Sequence, residues 1–237
     1  MWGNINKQIT FTNVMDVPEE YYPKNAARFL PEWYKKTDSY MGGEKLIKNN
    51  STNGTIKKCI PVFDALTSGY IIPTYADIYV TKDQNGRILF STSFGPQIEH
   101  HPIIQAPHHP LMNQHDYPKI LNPWSIKTPP GYSSLFLPPV HGGNPYFSTF
   151  EGLVDTDKFQ VPVNFPFILK DINFEGIIPA GTPIVQIFLI KRNHWKIKFK
   201  DGKKANNKTN IDKQNISIYS LYFDRYKTKF WEKKNYV

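Results

Sequence analysis

The sequence predicts a mostly β protein, and three observations carry that prediction. Its 20 prolines and 14 glycines are spread along the chain, which suits many short strands and turns. Short apolar or alternating runs recur from Thr55 onward, each bounded by Pro, Gly or Asn, and that spacing belongs to a sandwich or barrel. Hydrophobic residues make up 40% and aromatics 15% of 237 residues, so one large domain or two small ones can bury a sizeable core.

Taken in order, Ile9-Thr10-Phe11-Thr12 reads as a strand, and Pro18-Glu19-Glu20 opens a short helix with proline in its first turn. Asn25 to Lys36 reads as two helical turns broken at Pro31, and 48–54 as a polar loop. Thr55 to Phe63 reads as a strand containing Cys59, which is then a core or neutral residue. Tyr70-Ile71-Ile72-Pro73 and Ala76 to Val80 follow as an interrupted run. Asp83-Gln84-Asn85-Gly86 is a hairpin turn leading to a strand over Ile88 to Thr92. Residues 95–118 hold five prolines and five histidines without periodicity and read as a long ordered loop. Strands are expected at 124–127, 132–137, 146–154, 161–169 and 183–191. Pro129-Pro130-Gly131 and Pro179-Ala180-Gly181 supply turns, 201–215 is polar and expected to be mobile, and Ile216 to Phe223 alternates like a returning strand. The expected organisation is an N-terminal helical appendage over 1–54, a β core over 55–198 and a basic aromatic tail over 199–237.

The net charge is +9, and the segment from Lys196 to Val237, with twelve Lys or Arg against four Asp or Glu, holds +8 of it. The body therefore has no bulk electrostatic reason to seek nucleic acid, whereas the tail has one. Tail rings (Tyr219, Tyr222, Phe223, Tyr226, Phe230, Trp231) interleave with basic residues, a pattern that can follow a single nucleic-acid strand or dock the terminus on a neighbouring subunit. A single cysteine excludes an internal disulfide and fits a reducing compartment. No apolar run approaches the roughly 20 residues that span a bilayer, and Met1 to Lys7 shows no signal pattern, so neither secretion nor a membrane partner is expected.

Four stretches, in order, are Ala65-Leu66-Thr67-Ser68-Gly69-Tyr70, Pro129-Pro130-Gly131-Tyr132, Gly152-Leu153-Val154-Asp155 and Gly181-Thr182-Pro183-Ile184-Val185-Gln186. Their order and spacing resemble the motifs of the dUTPase and dCTP-deaminase superfamily over about residues 64 to 190. The resemblance implies a distorted β-barrel of the β-clip type and a homo-oligomer, with a trimer favoured. Two departures bear on chemistry. The stretch matching the phosphate motif, Ser133 to Pro139, has no basic residue, whereas a triphosphate needs charge-assisted contacts. The aromatic of the third motif is displaced, with Lys158 in its place and Phe159 one residue late, which on a strand turns the side chain to the other face.

A second pattern runs through Leu30-Pro31-Glu32-Trp33-Tyr34-Lys35, Lys58 to Tyr70, Asn122 to Tyr132, Val154-Asp155-Thr156-Asp157 and Val163 to Phe167. It is similar to a family of tailed-phage and bacterial proteins of undefined function and spans roughly residues 25 to 196. It implies a phage source, a location in host cytoplasm or virion, and a phage or host protein as partner.

Asp155 and Asp157 are the catalytic candidates: Asp155 could orient a water as general base, or the pair could close a turn by accepting backbone N–H groups. Asp64, Tyr70, Tyr132, Phe159 and Gln186 are the candidate ligand-binding residues. His101, His109 and His115 are the candidate ligands of a divalent metal, zinc or iron, the only cofactor suggested, although adjacent histidines point apart on any regular element and at most one of each pair can converge. Trp124 is expected in the core. The leading expectation is a phage-encoded non-catalytic binding or virion-associated protein. The rivals are a nucleotide hydrolase or deaminase using Asp155, a metal enzyme using the histidine loop, and a single-strand binder using the tail.

Overall fold

The structure, a computed structural model, describes residues 7–48, 51–94, 97–105, 117–199 and 226–236. It is mostly β, and every strand pair is antiparallel. Two compact units divide the chain: a larger one from residues 1–29 and 69–192, and a smaller one from 30–68 and 193–237.

The chain begins in the larger unit with β1 (Thr10–Asn13) and β2 (Lys24–Asn25). It leaves for the smaller unit, which holds α1 (Glu32–Lys36), the short pair β3 (Ile47–Lys48) and β4 (Ser51–Thr52), and α2 (Ile60–Thr67). It re-enters the larger unit at Gly69 and builds β5 (Tyr70–Pro73), β6 (Ile78–Lys82), β7 (Ile88–Thr92) and β8 (Ile98–His101). Next come β9 (Tyr117–Ile120), β10 (Trp124–Lys127), β11 (Tyr132–Leu137) and β12 (Phe147–Thr149). The last strands are β13 (Gly152–Val154), β14 (Phe165–Leu169), β15 (Gly176–Ile178) and β16 (Pro183–Lys191).

In the larger unit the strands form open sheets in the orders β13-β11-β16-β5-β2, β12-β14-β9-β8, β15-β6-β7 and β1-β10. The central strand β16 explains why its apolar run is continuous: Ile184, Val185, Gln186 and Ile187 are all buried, so both of its faces are covered. Ile72, Trp124, Phe136, Phe147 and Phe167 fill the same core, with Trp124 meeting Tyr22 edge-on at 4.8 Å. The entry to β5 needs glycine. Gly69 has φ +79°, and a Cβ there would lie 2.0 Å from the Ile187 carbonyl oxygen. Just before it, Lys24 and Asn25 pair with Ile71 and Tyr70, and the Ala26 N–H donates to the Gly69 carbonyl at 3.0 Å.

Several expected elements differ. Thr55 to Phe63 is not a strand: a 3-10 turn over Ile56–Lys58 leads into α2, with Cys59 at the N-cap. Pro61 stands in the first turn, where no intrahelical N–H is needed, and the Thr55 hydroxyl accepts the Lys57 N–H at 3.3 Å, so the β-branched run is overruled by its start signals. The histidine-rich stretch is not all loop, because β8 and β9 pair His100 with Pro118 and His101 with Tyr117. The expected strand over 146–154 is two strands, β12 and β13, lying in different sheets. The expected mobile stretch 201–215 and the returning strand over 216–223 lie outside the described residues. Among the described residues no helix is long and apolar enough to cross a membrane.

Candidate functional site

The Asp155–Asp157 pair acquires its surroundings from two turns and one register. Pro129-Pro130-Gly131-Tyr132 forms a turn in which the Tyr132 N–H donates to the Pro129 carbonyl at 3.2 Å. Gly131, with φ +84°, takes the left-handed position that such a turn demands. The turn launches β11, which pairs on one side with β13 (Ser134 opposite Val154) and on the other with β16 (Tyr132 opposite Lys191). The turn after β13 therefore lies beside the Pro-Pro-Gly turn, and so does the residue after β16, Arg192. In the former, the Lys158 and Phe159 N–H groups donate to the Asp155 carbonyl at 2.9 and 2.8 Å. In the latter, the Arg192 N–H donates to the Gly131 carbonyl at 2.8 Å.

The Arg192 guanidinium then ties the three segments together. Its Nη1 lies 2.9 Å from Asp157 Oδ1 and 3.1 Å from Asp155 Oδ1, and it donates to the Tyr132 carbonyl and the Ser133 Oγ at 3.0 and 3.1 Å. Its Nη2 bonds Asp157 Oδ2, so the Arg192–Asp157 pair is bidentate. The Gly131 N–H donates to Asp157 Oδ2 at 2.8 Å, and the Ser133 hydroxyl donates to Asp155 Oδ1 at 2.7 Å.

The two carboxylates differ in setting: the Asp157 side chain is 7% exposed and that of Asp155 is 50% exposed. Hydrogen bonding from Arg192, then from the Gly131 N–H, pulls Asp157 down to about 2. The Ser133 hydroxyl, then Arg192, holds Asp155 below the usual carboxylate range. Asp157 in turn keeps Arg192 more firmly protonated. Beneath the ion pairs runs a buried hydroxyl chain, in which Thr156 Oγ1 is 2.9 Å from Thr128 Oγ1 and 2.8 Å from Ser134 Oγ.

This arrangement fixes what the site can do. A carboxylate held ionised by an arginine and a hydroxyl is a poor proton acceptor near neutral pH. The Ser133 side chain, 1% exposed and already donating to Asp155, is closed to a substrate carbonyl or phosphorus. The single guanidinium faces two carboxylates, and the charge of Lys158 on the same turn also acts on Asp157. What remains outward is Asp155, a half-exposed acceptor on a rigid turn.

The other predicted residues scatter. Tyr132 stands at the start of β11, where the Lys7 ammonium lies 4.5 Å from its ring centre and bonds its hydroxyl. Phe159 is 50% exposed at the end of the Asp155 turn. Gln186 is buried in β16, where its Oε1 accepts the N–H of Val140, in the turn after β11, at 3.2 Å. Tyr70 packs edge-on against Phe11 at 5.7 Å. The His101 ring stacks on Tyr117 at 5.1 Å. His109 and His115 lie outside the described residues. Among the described residues no group of three or more His, Cys, Asp or Glu side chains could hold a metal ion.

Asp64 belongs to the smaller unit. On α2 its carboxylate accepts the Trp231 indole N–H at 3.0 and 2.9 Å and the Lys234 ammonium at 2.7 Å. The hydrogen bond to Asp64 raises the Lys234 pKa. Trp231 and Lys234 of the tail thus bond a residue of their own chain.

Sequence reasoning missed Arg192 and Trp231. Arg192 carried one usable signal, a cation directly after the last strand of the barrel-like run. No family model matches the chain, and no curated protein matches it.

Proposed function

We propose that this is a phage-encoded, non-catalytic binding or virion-associated protein built on a dUTPase-like, β-clip arrangement of strands. The observation that carries this reading is the engagement of Arg192. Arg192, the cation bonded to the Asp-x-Asp turn, is spent on Asp157 and Asp155, so it neither grips a triphosphate nor leaves either carboxylate a ready proton acceptor. Strand order supports the architecture: the motif-bearing strands β13, β11, β16 and β5 are consecutive neighbours in one sheet. The distorted-barrel architecture and a trimer belong to the proposal. The phage source rests on the resemblance over residues 25 to 196.

The test is incubation with dUTP and with dCTP at millimolar concentration, with and without Mg²⁺. No pyrophosphate, phosphate or ammonia is expected, and no rise in melting temperature. Turnover that disappears in Asp155→Asn would replace this reading with the hydrolase or deaminase one.

A further inference from the structure

Trp195, Ile197 and Phe199 are 86, 83 and 91% exposed, and Lys196 and Lys198 alternate with them. Soluble chains rarely leave three large apolar side chains this bare in sequence unless something covers them. In an added β-strand, residues two apart share a face, so the two rings and the isoleucine would lie on one side and the lysines on the other. The rings alone would bring about 300–500 Å² to an interface, against the roughly 800 Å² per partner of a standard one.

The same chain carries a sheet edge of complementary pattern. Among the described residues β13 ends the five-stranded sheet, and an edge strand presents backbone groups to a further strand. Its outward face reads Glu151, Leu153, Asp155, with Leu153 62% exposed, while Val154 packs toward the core. Among the described residues a Cβ at Gly152 would meet nothing within 4 Å.

We propose that residues 195–199 of one copy add as an antiparallel strand to β13 of a second copy. Ile197 then stands opposite Val154, and Phe199 covers Gly152, the cross-strand use of an aromatic over glycine. Lys196 faces Asp155, and Lys198 faces Leu153 between the two carboxylates. Pairing of the segment with itself is disfavoured, because a register centred on Ile197 sets Lys196 against Lys198. A single nucleic-acid strand is a poorer occupant, since rings and lysines on opposite faces cannot address its bases and phosphates together. Donor and acceptor are different surfaces, so the contact is head-to-tail and closes into a ring when its rotation allows. It stands independently of whether the Asp155 site is catalytic.

Light scattering after size exclusion of the full chain at tens of micromolar tests this. Wild type is expected to run as an assembly, and Ile197→Asp as a monomer with unchanged melting temperature. Glu151→Lys and Lys198→Glu are each expected to weaken assembly by about fivefold, with recovery in the double variant. Four results would overturn the proposal: a monomeric wild type, an Ile197→Asp variant that still assembles, a double variant no better than its parents, or Ile197→Asp abolishing binding to a labelled 20-mer of oligo-dT without changing the mass.

Discussion

The Asp157 site of the larger unit and the Asp64 site of the smaller unit use one chemistry for two purposes. Each carboxylate takes an N–H donor and a cation. Asp157 receives a backbone amide and a bidentate arginine, from turns that the sheet register fixes on both sides. Asp64 receives an indole and an ammonium from a segment 167 residues further along the chain. The first contact locks local geometry already built by β11, β13 and β16. The second is the point at which a distant segment is attached. Paired charges alone therefore reveal little about role, and the backbone that delivers the partners reveals more.

The change expected to have the largest effect is Arg192→Met, which leaves Asp157 nearly buried without its cation. The melting temperature should fall further than for any other change named here. The pH dependence should change as well. Hydrogen bonding holds Asp157 at about 2 in the fold, below its unfolded value near 3.8, so its stabilisation is complete above about pH 5 and is lost as pH falls through 2. Acid unfolding curves should show that loss in wild type and a smaller one in Arg192→Met. An equal loss in both would mean that the arginine is not the cause.

Next in size is Thr156→Val, which strips the shared partner from two buried hydroxyls. A loss of about 1–3 kcal/mol is expected by denaturant titration. A neutral result would show that Thr128 and Ser134 re-pair without it.

The smallest effect on stability should come from Asp64→Asn. The unfolding midpoint of the larger unit should stay the same while the tail is cleaved faster by trypsin near Lys233 and Lys234. Unchanged cleavage would show that the Asp64 contact does not hold the segment.

Much of the fold could be read from residue order. Strands at 124–127 and 132–137 coincide with β10 and β11, because a Pro-Pro-Gly turn separates two alternating runs. The Asp83 to Gly86 turn joins β6 to β7 as its Asn-Gly implies. Helix α2 was hidden because Ile56 to Phe63 has strand-like composition, and only Pro61 in a first turn pointed the other way. The site was half legible. Asp155 and Asp157 stood out as a local motif, but Arg192 reaches them through a register between strands some 60 residues apart in sequence. Arg192 is 35 residues beyond Asp157, too far for a local motif to join them. Trp231 was visible as one aromatic among many, and its target on α2, Asp64, lay directly after a segment read as strand.

The approach of Ala26 to Gly69 has a practical corollary. Lys24 and Asn25 already run antiparallel to Ile71 and Tyr70, so the polypeptide departs from and returns to adjoining points of the same ladder. The intervening stretch is topologically an insertion into a hairpin. A splice that joins the two strands through a tight two-residue turn would preserve their pairing, which makes this junction the natural place to excise that stretch or graft a reporter domain.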